Sequence, residues 1–370
     1  MKFTCSQQIL SKALNTVSKA VTVRTTIPIL KGILIKANND GTVTFSASDL
    51  DLSIEKKAHC NVIEPGEVVV FAKLFGDIIR KLPNEEISIE LVNGNLSIKS
   101  LNSEFNIVGQ SADEFPNIAE IKEISGTLSF DKDIFREMIK KTYFSASIDE
   151  SKGVIVGVLM EIEENNFNMV ALDGFRMAVS MEQMKNEKPG NIIISGKTLG
   201  EINKILSETD SNEDIKITIG DKKVILIIDN TKIVVRVIEG DFIKYRDILP
   251  KDAKTKMIVN RSELVTAIER ASLLAKEGKN NLVKCTIEGN LLNVTSRSEE
   301  GTVKEDIIVE KTGEDLEIGF NSKYLLEALK AVDDESVLLE LNTSITPCLI
   351  KPVTGNQFIY LILPVRITSS

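Results

Sequence analysis

Residues 73–82 read Lys-Leu-Phe-Gly-Asp-Ile-Ile-Arg-Lys-Leu, and the pattern of this stretch returns at residues 197–206 and 323–332. Each copy opens on a lysine and closes on an apolar residue, at offsets of 124 and 126 residues. The interior positions align as well: Phe75, Leu199 and Leu325, then Asp77, Glu201 and Glu327. Apolar residues on one helical face indicate an amphipathic helix. A unit that occurs three times predicts three similar domains.

A second helical pattern precedes each of these stretches, in the same order. It covers residues 6–20, 132–142 and 261–276, each after a short strand-like run. Apolar pairs four residues apart mark one face of each helix: Leu10/Leu14, Phe135/Ile139 and Leu264/Ile268. Agreement at two helices per copy predicts six quasi-equivalent helices.

Between the helices the sequence predicts antiparallel strands. Residues 42–47 alternate polar and apolar side chains, as a half-buried strand does. Asn93-Gly94 joins two further alternating runs as a hairpin turn, and Gly220-Asp221 and Gly289-Asn290 repeat that arrangement. The predicted fold class is therefore α+β, with two helices against antiparallel sheet in each of three domains at residues 1–122, 126–250 and 254–370.

The charge is distributed unevenly along the chain. The whole protein has 45 Lys and Arg against 54 Asp and Glu, a net charge of −9, which by itself argues against a nucleic-acid partner. Each of the six helical windows is nevertheless net positive; together they carry +9 and the rest of the chain −18. A single basic helix is ordinarily a solvated face. Six of them indicate one electropositive surface, for which a polyanion backbone is the natural partner.

Composition excludes several other classes of protein. No apolar run approaches the roughly 18 residues of a membrane span. The four cysteines are far apart in sequence, without a CxxC pair, which argues against a disulfide scaffold or a cysteine zinc finger and suits a reducing cytoplasm. The single histidine, His59, leaves few options for a metal cluster, so no metal or cofactor is expected.

Two motifs suggest enzyme chemistry. Gly196-Lys197-Thr198 before a helix resembles the end of a phosphate-binding loop, but that loop needs a glycine at position 191, which is Asn191. A helix N-terminus is the simpler interpretation. Asp49, Asp51 and Asp173 could hold Mg²⁺ or act as acid and base, although Asp173-Gly174 also reads as a turn.

Seven motifs together resemble the β subunit of bacterial DNA polymerase III, the processivity sliding clamp, over the whole chain. They are residues 26–30 (Thr-Ile-Pro-Ile-Leu), 46–50 (Ser-Ala-Ser-Asp-Leu), 113–116 (Asp-Glu-Phe-Pro), 171–178 (Ala-Leu-Asp-Gly-Phe-Arg-Met-Ala), 245–250 (Tyr-Arg-Asp-Ile-Leu-Pro), 319–324 (Gly-Phe-Asn-Ser-Lys-Tyr) and 363–367 (Leu-Pro-Val-Arg-Ile). Each motif is weak alone, and their order on a triple repeat makes the set specific.

The resemblance implies a non-enzymatic, head-to-tail homodimeric ring that encircles duplex DNA without sequence preference. Basic helices would line the hole, which accounts for the charge distribution. Arg24 and Lys197 match DNA-contact positions of the family, while Lys73, Arg80 and Lys152 are proposed from charge and repeat position. The interface would join the first domain of one chain to the third of the other, with Phe105 and Ile107 facing Leu273 and Leu274.

The resemblance also implies a pocket between the second and third domains for short peptide motifs. The partners would be the DNA polymerase III catalytic subunit, the clamp loader, mismatch repair factors and other DNA enzymes. Aliphatic walls would accept Leu and Phe anchors, and Arg, Asn and Tyr would orient the peptide. The residues carried over are Ile155, Leu172, Gly174, Phe175, Arg176, Met177, Ile248, Asn321, Tyr324, Ile345, Pro347, Ile362, Leu363, Pro364, Val365 and Arg366.

The sequence departs from the family pattern at three places. Ile243 stands where the family often has proline, Phe175 where some relatives carry histidine, and residues 368–370 extend past the usual terminal motif. Two other functions stay open at this point: a Mg²⁺-dependent phosphohydrolase using Asp49, Asp51 and Asp173, and a monomeric nucleic-acid-binding module. Convergence of the carboxylates would support the first, and a monomeric mass the second.

Overall fold

The computed structural model describes residues 1–22, 24–118, 120–121, 123–186, 188–277 and 279–367. Within them lie six α-helices: α1 (Gln7–Val17), α2 (Ala72–Lys81), α3 (Lys132–Lys140), α4 (Gly196–Ser207), α5 (Arg261–Ala275) and α6 (Ser322–Lys330). All six overlap the windows that the sequence predicts, although α2, α4 and α6 begin one residue earlier than predicted.

The strands follow the three repeats. The first repeat contributes β1 (Lys2–Ser6), β2 (Gly32–Ala37), β3 (Thr42–Ser48), β4 (Leu52–His59), β5 (Asn61–Glu64), β6 (Gly66–Phe71), β7 (Glu86–Val92), β8 (Asn95–Ser100) and β9 (Ser103–Gln110). The second contributes β10 (Ile124–Phe130), β11 (Gly157–Ile162), β12 (Asn166–Leu172), β13 (Arg176–Gln183), β14 (Gly190–Ser195), β15 (Ile215–Gly220), β16 (Lys223–Ile228) and β17 (Thr231–Arg236). The third contributes β18 (Thr255–Asn260), β19 (Leu282–Glu288), β20 (Leu291–Ser298), β21 (Gly301–Ile308), β22 (Glu310–Gly313), β23 (Leu316–Asn321), β24 (Ser336–Leu341), β25 (Cys348–Pro352) and β26 (Phe358–Ile362).

Local chemistry sets several of these boundaries. The Ser6 hydroxyl accepts a hydrogen bond from the Ile9 amide and caps α1, and the Asn260 side chain does the same for α5 through the Glu263 amide. In the β7–β8 hairpin, Asn93 and Gly94 have φ angles of 50° and 80°, the left-handed pair that a two-residue turn requires. The predicted α+β class, with paired helices and antiparallel sheet, is confirmed.

The chain divides into two compact units. The first comprises Met1–Ile134 and Lys204–Val237, and its strands form one antiparallel sheet in the order β10-β15-β16-β17-β4-β3-β2-β6-β9-β8-β7-β1-β5. Phe3, Leu14, Phe45 and Phe75 are at most 1% exposed and belong to its core. The apolar faces of α1 and α2 supply Leu14 and Phe75, as the helical spacing predicts.

The second unit comprises Phe135–Asn203 and Ile238–Ser370. It holds a nine-stranded sheet, β14-β11-β12-β13-β26-β25-β24-β18-β22, and a four-stranded sheet, β21-β20-β19-β23. Leu264 and Ile268 of α5 pack in one core with Leu325 of α6 and with Tyr360 of β26.

The division between units cuts through the middle repeat, because strands pair across the repeat boundaries. β17 pairs with β4, with Ile233 opposite Ile54, and β13 pairs with β26, with Met177 opposite Leu361. The two halves of the middle repeat therefore extend the sheets of the first and third repeats. Independent domains would not require these ladders, and no local sequence pattern predicts them.

Candidate functional site

The candidate pocket residues all lie in the second unit, and several of them meet at the junction of β13 and β26. Arg176 opposite Ile362 is the last pair of that ladder. Beyond it, the Leu363 amide donates a hydrogen bond of 2.9 Å to the Phe175 carbonyl, and the Val365 amide donates one of 2.8 Å to the Gly319 carbonyl of β23. The tail therefore connects β13 to β23, and Pro364, which has no amide hydrogen, stands between the two donors.

A tight turn presents Phe175 at the start of β13. The Asp173 carboxylate accepts hydrogen bonds from the amides of Phe175 (2.8 Å) and Arg176 (3.1 Å). Gly174 has φ 94°, a conformation that side-chain-bearing residues adopt at a cost. The turn leaves the Phe175 side chain 54% exposed. Asp173 is thus a turn residue, as the Asp-Gly pair predicts.

The Arg176 side chain is buried and ties this turn to α6. Its guanidinium donates to the Asp173 carboxylate (Nε, 3.1 Å), to the Glu327 carboxylate and to the Phe144 carbonyl (Nη2, 2.6 Å). It also lies 4.6 Å from the centroid of the Tyr324 ring and 5.3 Å from that of Phe144. A charge with so many fixed partners holds its surroundings in place, and it offers little to a ligand.

Phe175 and Tyr324 form an aromatic shelf. Their ring centroids are 6.1 Å apart at an interplanar angle of 21°, a stacked arrangement. Lys152 Nζ lies 5.9 Å from the Phe175 centroid. Burial raises the pKa of the Tyr324 phenol above its ordinary value, so the shelf stays neutral at physiological pH. It provides an apolar surface with a cation at one end.

Exposure separates the candidate pocket residues into three groups. Phe175, Gly174, Ile248, Ile345, Leu363 and Arg366 are exposed; Ile155, Asn321, Tyr324, Pro347, Pro364 and Val365 are half-buried; Leu172, Arg176, Met177 and Ile362 are buried. The first two groups can contact a ligand directly. The Asn321 side-chain oxygen accepts the Lys323 amide and caps α6, so it is already engaged. Residues 368–370, which could cover the pocket, lie outside the described residues.

Met177 does not lie where its predicted role requires. We expected an adaptable side chain open to partner peptides, but Met177 is 2% exposed and packs with Leu172, Tyr245 and Leu361. Its position on β13 places it on the inner face, opposite Leu361. In the free chain Met177 therefore supports the pocket from below and offers no contact surface.

A polar cluster that the sequence analysis missed holds the Tyr245–Ile248 segment in place. The Glu161 carboxylate accepts hydrogen bonds from the Tyr245 hydroxyl (2.8 Å), from both terminal nitrogens of Arg246 (2.7 Å each) and from the side-chain Nδ2 of Asn168 (2.9 Å). Burial alone would raise the pKa of Glu161, but these hydrogen bonds outweigh burial and lower it below the ordinary value. This cluster fixes the segment that carries the exposed Ile248.

The candidate DNA-contact residues are exposed in their units. Lys73 and Arg80 lie on α2 and Arg24 in the loop before β2, all in the first unit, while Lys152 and Lys197 belong to the second. The charge on Arg80 is partly compensated, because its guanidinium pairs with Asp77 at 2.5 Å.

The interface candidates differ in exposure. Phe105 is 39% and Leu273 66% exposed, and Leu274 is half-buried. Ile107 is only 7% exposed, so its assignment as an accessible interface residue is corrected. Alternation along β9 places Ile107 on the same face as Phe105, and of the two only Ile107 is covered.

Two open strand edges accompany these residues. β9 pairs with β6 only at Gly109 and Gln110, which leaves residues 103–108 unpaired on that side. β21 is the outer strand of the four-stranded sheet, and its Ile308 is 82% exposed. Unpaired edges with apolar side chains favour pairing with another chain. The sequence patterns predicted neither β9 nor β21, and no local pattern indicates that their edges are open.

The residues proposed for enzyme chemistry have local structural roles. Asp49 accepts hydrogen bonds from the amides of Asp51 (3.1 Å) and Leu52 (2.7 Å), which is turn geometry like that at Asp173. Among the described residues, no group of three or more His, Cys, Asp or Glu could hold a metal ion. β14 runs to Ser195 and α4 begins at Gly196, so no phosphate-cradling loop precedes Lys197. Nor is any helix in the described ranges long and apolar enough to cross a membrane.

Comparison with known proteins assigns every repeat to the same family. The N-terminal, central and C-terminal domain profiles of the DNA polymerase III beta subunit match residues 1–119, 129–244 and 246–366. The chain is 36% identical to the beta sliding clamp of Bacillus subtilis over 380 residues, covering 99% of this chain and 100% of that one. It is 35% identical to the beta sliding clamp of Staphylococcus epidermidis, covering 99% of each.

Solved structures agree. The crystal structure of the B. subtilis DNA polymerase sliding clamp matches with a TM-score of 0.93 at 35% identity, over 100% of both chains. The DNA polymerase III beta subunit from Thermotoga maritima matches with a TM-score of 0.92 at 30% identity, over 99% of this chain and 100% of that one.

Proposed function

The chain belongs to the DNA polymerase III beta subunit family, the beta sliding clamps, and on that basis we propose that it acts as a homodimeric ring around duplex DNA. The ring tethers the replicative polymerase and other DNA enzymes through a peptide site on the second unit. It does this without catalysis, in the cytoplasm where bacterial DNA is replicated. The carboxylates of Asp49 and Asp173 each close a turn of their own, which supports this assignment over the phosphohydrolase.

The observation that carries the proposal is the exposed apolar surface at the β13–β26 junction. Phe175 and Leu363 meet there and are 54% and 37% exposed, whereas Met177 and Ile362 beside them are buried; Ile248 and Ile345, in other segments of the same unit, are 43% and 74% exposed. Exposed apolar groups clustered over a rigid base are typical of a site for a protein partner. Leu or Phe anchors of a short peptide would insert between the aromatic shelf and these aliphatic side chains.

The base of the site is rigid, and this rigidity favours binding. Arg176 fixes the shelf to α6, and Glu161 fixes the Tyr245–Ile248 segment to β11. A site that is already ordered loses less conformational entropy when a flexible peptide docks. Segments from the DNA polymerase III catalytic subunit, the clamp loader and mismatch repair factors would compete for it.

Contact with DNA depends on the net positive charge of the helices. Lys73 on α2 and Lys197 on α4 are exposed near the start of their helices, at matching positions in the repeats. Arg24 and Lys152 add charge from loops. Such contacts would go to phosphates, which carry no sequence information, so the ring would slide freely. The acidic remainder of the chain would repel DNA from the other surfaces.

Ring closure would join two chains head to tail. The open edge of β9 on one chain would meet the open edge of β21 on the other, with Phe105 and Leu273 packing beside them. An interface between two different surfaces of the same chain closes into a ring when the rotation permits. The third possibility, a monomeric nucleic-acid-binding module, would leave both edges exposed.

Retention on circular DNA tests the proposal. The protein is loaded onto a nicked plasmid by a clamp loader, the salt is raised, and half of the sample is linearised by a restriction enzyme. We expect protein to stay on the circles and to leave the linear molecules, because topology holds a ring when electrostatic attraction is screened. Equal loss from both forms would overturn the ring. A particle mass of 40.8 kDa, that of one chain, would support the monomeric module.

A further inference from the structure

Cys5 and Cys60 stand far apart in sequence, yet their Sγ atoms lie 2.8 Å apart. β1 and β5 pair antiparallel, with Phe3 opposite Val62 and Thr4 opposite Asn61. One further step in this register places Cys5 opposite Cys60. Opposed residues in an antiparallel pair have Cα atoms about 4.5–5.5 Å apart, within the roughly 4.4–6.8 Å that a disulfide spans. The backbone register therefore brings the two thiols into bonding range.

The pair lines a cavity. The cavity has a volume of about 520 Å³ and is lined by Thr4, Cys5, Ser6, Gly41, His59, Cys60, Asn61 and Glu86. Cys5 is 5% exposed and Cys60 is half-buried. Both cysteines are free thiols. A cavity of this volume admits a small reagent to the two sulfur atoms, which a larger molecule could not reach.

The two thiols are chemically unequal. The hydrogen bond that Cys60 Sγ donates to Cys5 Sγ lowers the pKa of Cys5 and raises the pKa of Cys60. Because the thiolate is the nucleophilic form of cysteine, Cys5 is the attacking sulfur and Cys60 the proton donor. Such a pair matches the pattern of redox-active sites, in which a reactive cysteine lies beside a resolving cysteine.

We propose that Cys5 and Cys60 form a redox-active dithiol site whose substrate is a small hydroperoxide, with hydrogen peroxide the simplest. The Cys5 sulfur attacks one peroxide oxygen, the O–O bond breaks, and the departing oxygen takes up the proton that Cys5 had released and leaves as water. Cys5 is then a sulfenic acid. The Cys60 sulfur attacks the Cys5 sulfur, the S–O bond breaks, and the hydroxyl leaves as a second water with the Cys60 proton. Two thiols are oxidised and one peroxide is reduced.

The other two cysteines provide an internal comparison. Cys285 and Cys348 lie in the core of the second unit, 5% and 0% exposed. Burial raises the pKa of Cys285 to about 12 and raises that of Cys348 as well. Thiols that stay protonated in a core react slowly with peroxide. Oxidation should therefore be confined to the Cys5–Cys60 pair.

Disulfide formation would also change the stability of the first unit. The bond would join β1 to the junction of β4 and β5 and close a loop over residues 5–60. Restricting the unfolded chain in this way stabilises the folded state. The temperature of unfolding should therefore rise on oxidation and return on reduction, provided that the bond forms within the folded chain.

The experiment treats the reduced, full-length protein with hydrogen peroxide, counts free thiols after denaturation, and maps unreduced proteolytic peptides by mass spectrometry. We expect the thiol count to fall from four to two, a peptide that links Cys5 to Cys60, and full reversal by dithiothreitol. The double variant Cys285→Ser/Cys348→Ser should form the same link. Four free thiols after treatment, or a link that involves Cys285 or Cys348, would overturn the proposal.

Single variants distinguish the roles of the two sulfur atoms. Cys60→Ser should let the Cys5 sulfenic acid accumulate, where dimedone traps it, because no resolving thiol remains. Cys5→Ser should leave Cys60 unlabelled. Trapping at Cys60 in preference to Cys5 would reverse the assigned roles and contradict the mechanism. Peptide mapping of the unmutated protein stands independently of whether either variant folds.

Discussion

The guanidinium of Arg176 lies over the face of Tyr324, 4.6 Å from the ring centroid, and pairs with Asp173 and Glu327 on either side. One buried side chain thereby connects the turn before β13, Glu327 of α6 and the aromatic shelf. A planar guanidinium group can stack on an aromatic ring and donate hydrogen bonds in several directions at once, whereas an ammonium group cannot stack in this way. Arg176 therefore links the turn that carries Phe175 to the helix that carries Tyr324.

Replacing Arg176 by methionine should destabilise the protein by about 2–4 kcal/mol, since it leaves the largely buried Asp173 carboxylate without its ion-pair partner. Arg176→Lys should recover only part of this loss, because lysine cannot reproduce the stacked, multidentate geometry. Urea unfolding measures both. The matched control is the exposed Arg297→Met on β20, for which we expect a change within about 0.5 kcal/mol. Equal effects at the two positions would contradict this account.

Phe175→Ala should weaken binding of a clamp-binding peptide by about 1–3 kcal/mol, the scale of an apolar hot-spot contact, and leave stability nearly unchanged because the ring is exposed. Met177→Ala should behave oppositely and cost about 2–5 kcal/mol of stability, because its side chain is buried. Peptide titration is run beside urea unfolding. Ile148→Ala, at a side chain that is 97% exposed elsewhere in the second unit, serves as the control. If the folded Phe175→Ala variant binds the peptide with unaltered affinity, the aromatic shelf is not part of the binding site.

The contrast between Phe175 and Met177 shows which features of the candidate site could be predicted from the sequence. The Asp173-Gly174 turn and the six helices depend on nearby residues, so their patterns predicted them well. Exposure depends on which strand lies opposite, and the β13–β26 ladder joins residues 178 to 186 positions apart. Likewise the partners Glu161 and Tyr245 are 84 positions apart, and no local pattern pairs them. The open edges of β9 and β21 are set by strand order in the same way.

Leu273→Ala with Leu274→Ala should yield a folded monomer. Leu273 is 66% exposed, and the core face of α5 is supplied by Leu264 and Ile268, so the fold should tolerate the change. Loss of a central apolar contact of about 2 kcal/mol weakens a dimer roughly thirtyfold. Native mass spectrometry across a dilution series measures this. Ile63→Ala on β5, at an isoleucine that is 53% exposed, should remain as dimeric as the unaltered protein. An unchanged dimer affinity in the double variant would show that the interface does not include Leu273 and Leu274.

Lys197→Ala should lower the affinity for duplex DNA equally for all sequences. The slope of log affinity against log salt concentration should also become shallower by about one, the effect of one lost phosphate contact. Arg80→Ala should have a smaller effect, since Asp77 already compensates its charge. Fluorescence anisotropy over a series of salt concentrations gives both slopes. Lys57→Ala, at an exposed lysine on β4, is the matched control and should leave the slope unchanged. A slope that responds equally to Lys57 and Lys197 would indicate diffuse attraction without a defined contact surface.

Glu161 should make stability depend on pH in a defined direction. Its pKa is lowered in the folded protein, because the hydrogen bonds from Arg246, Asn168 and Tyr245 outweigh burial. A carboxylate with a lowered folded-state pKa contributes stability above its unfolded pKa of about 4.3, and that contribution is lost as the pH falls through the folded-state pKa. Glu161→Gln should therefore be less stable than the unaltered protein by about 1–3 kcal/mol at pH 7. Urea unfolding at pH 7, 5, 4 and 3 should show this gap narrowing below pH 5. The exposed neighbour Glu164→Gln provides the comparison, and its gap should stay small throughout. A gap for Glu161→Gln that persists undiminished at pH 3 would show that the cluster acts through shape, with no contribution from the charge of Glu161.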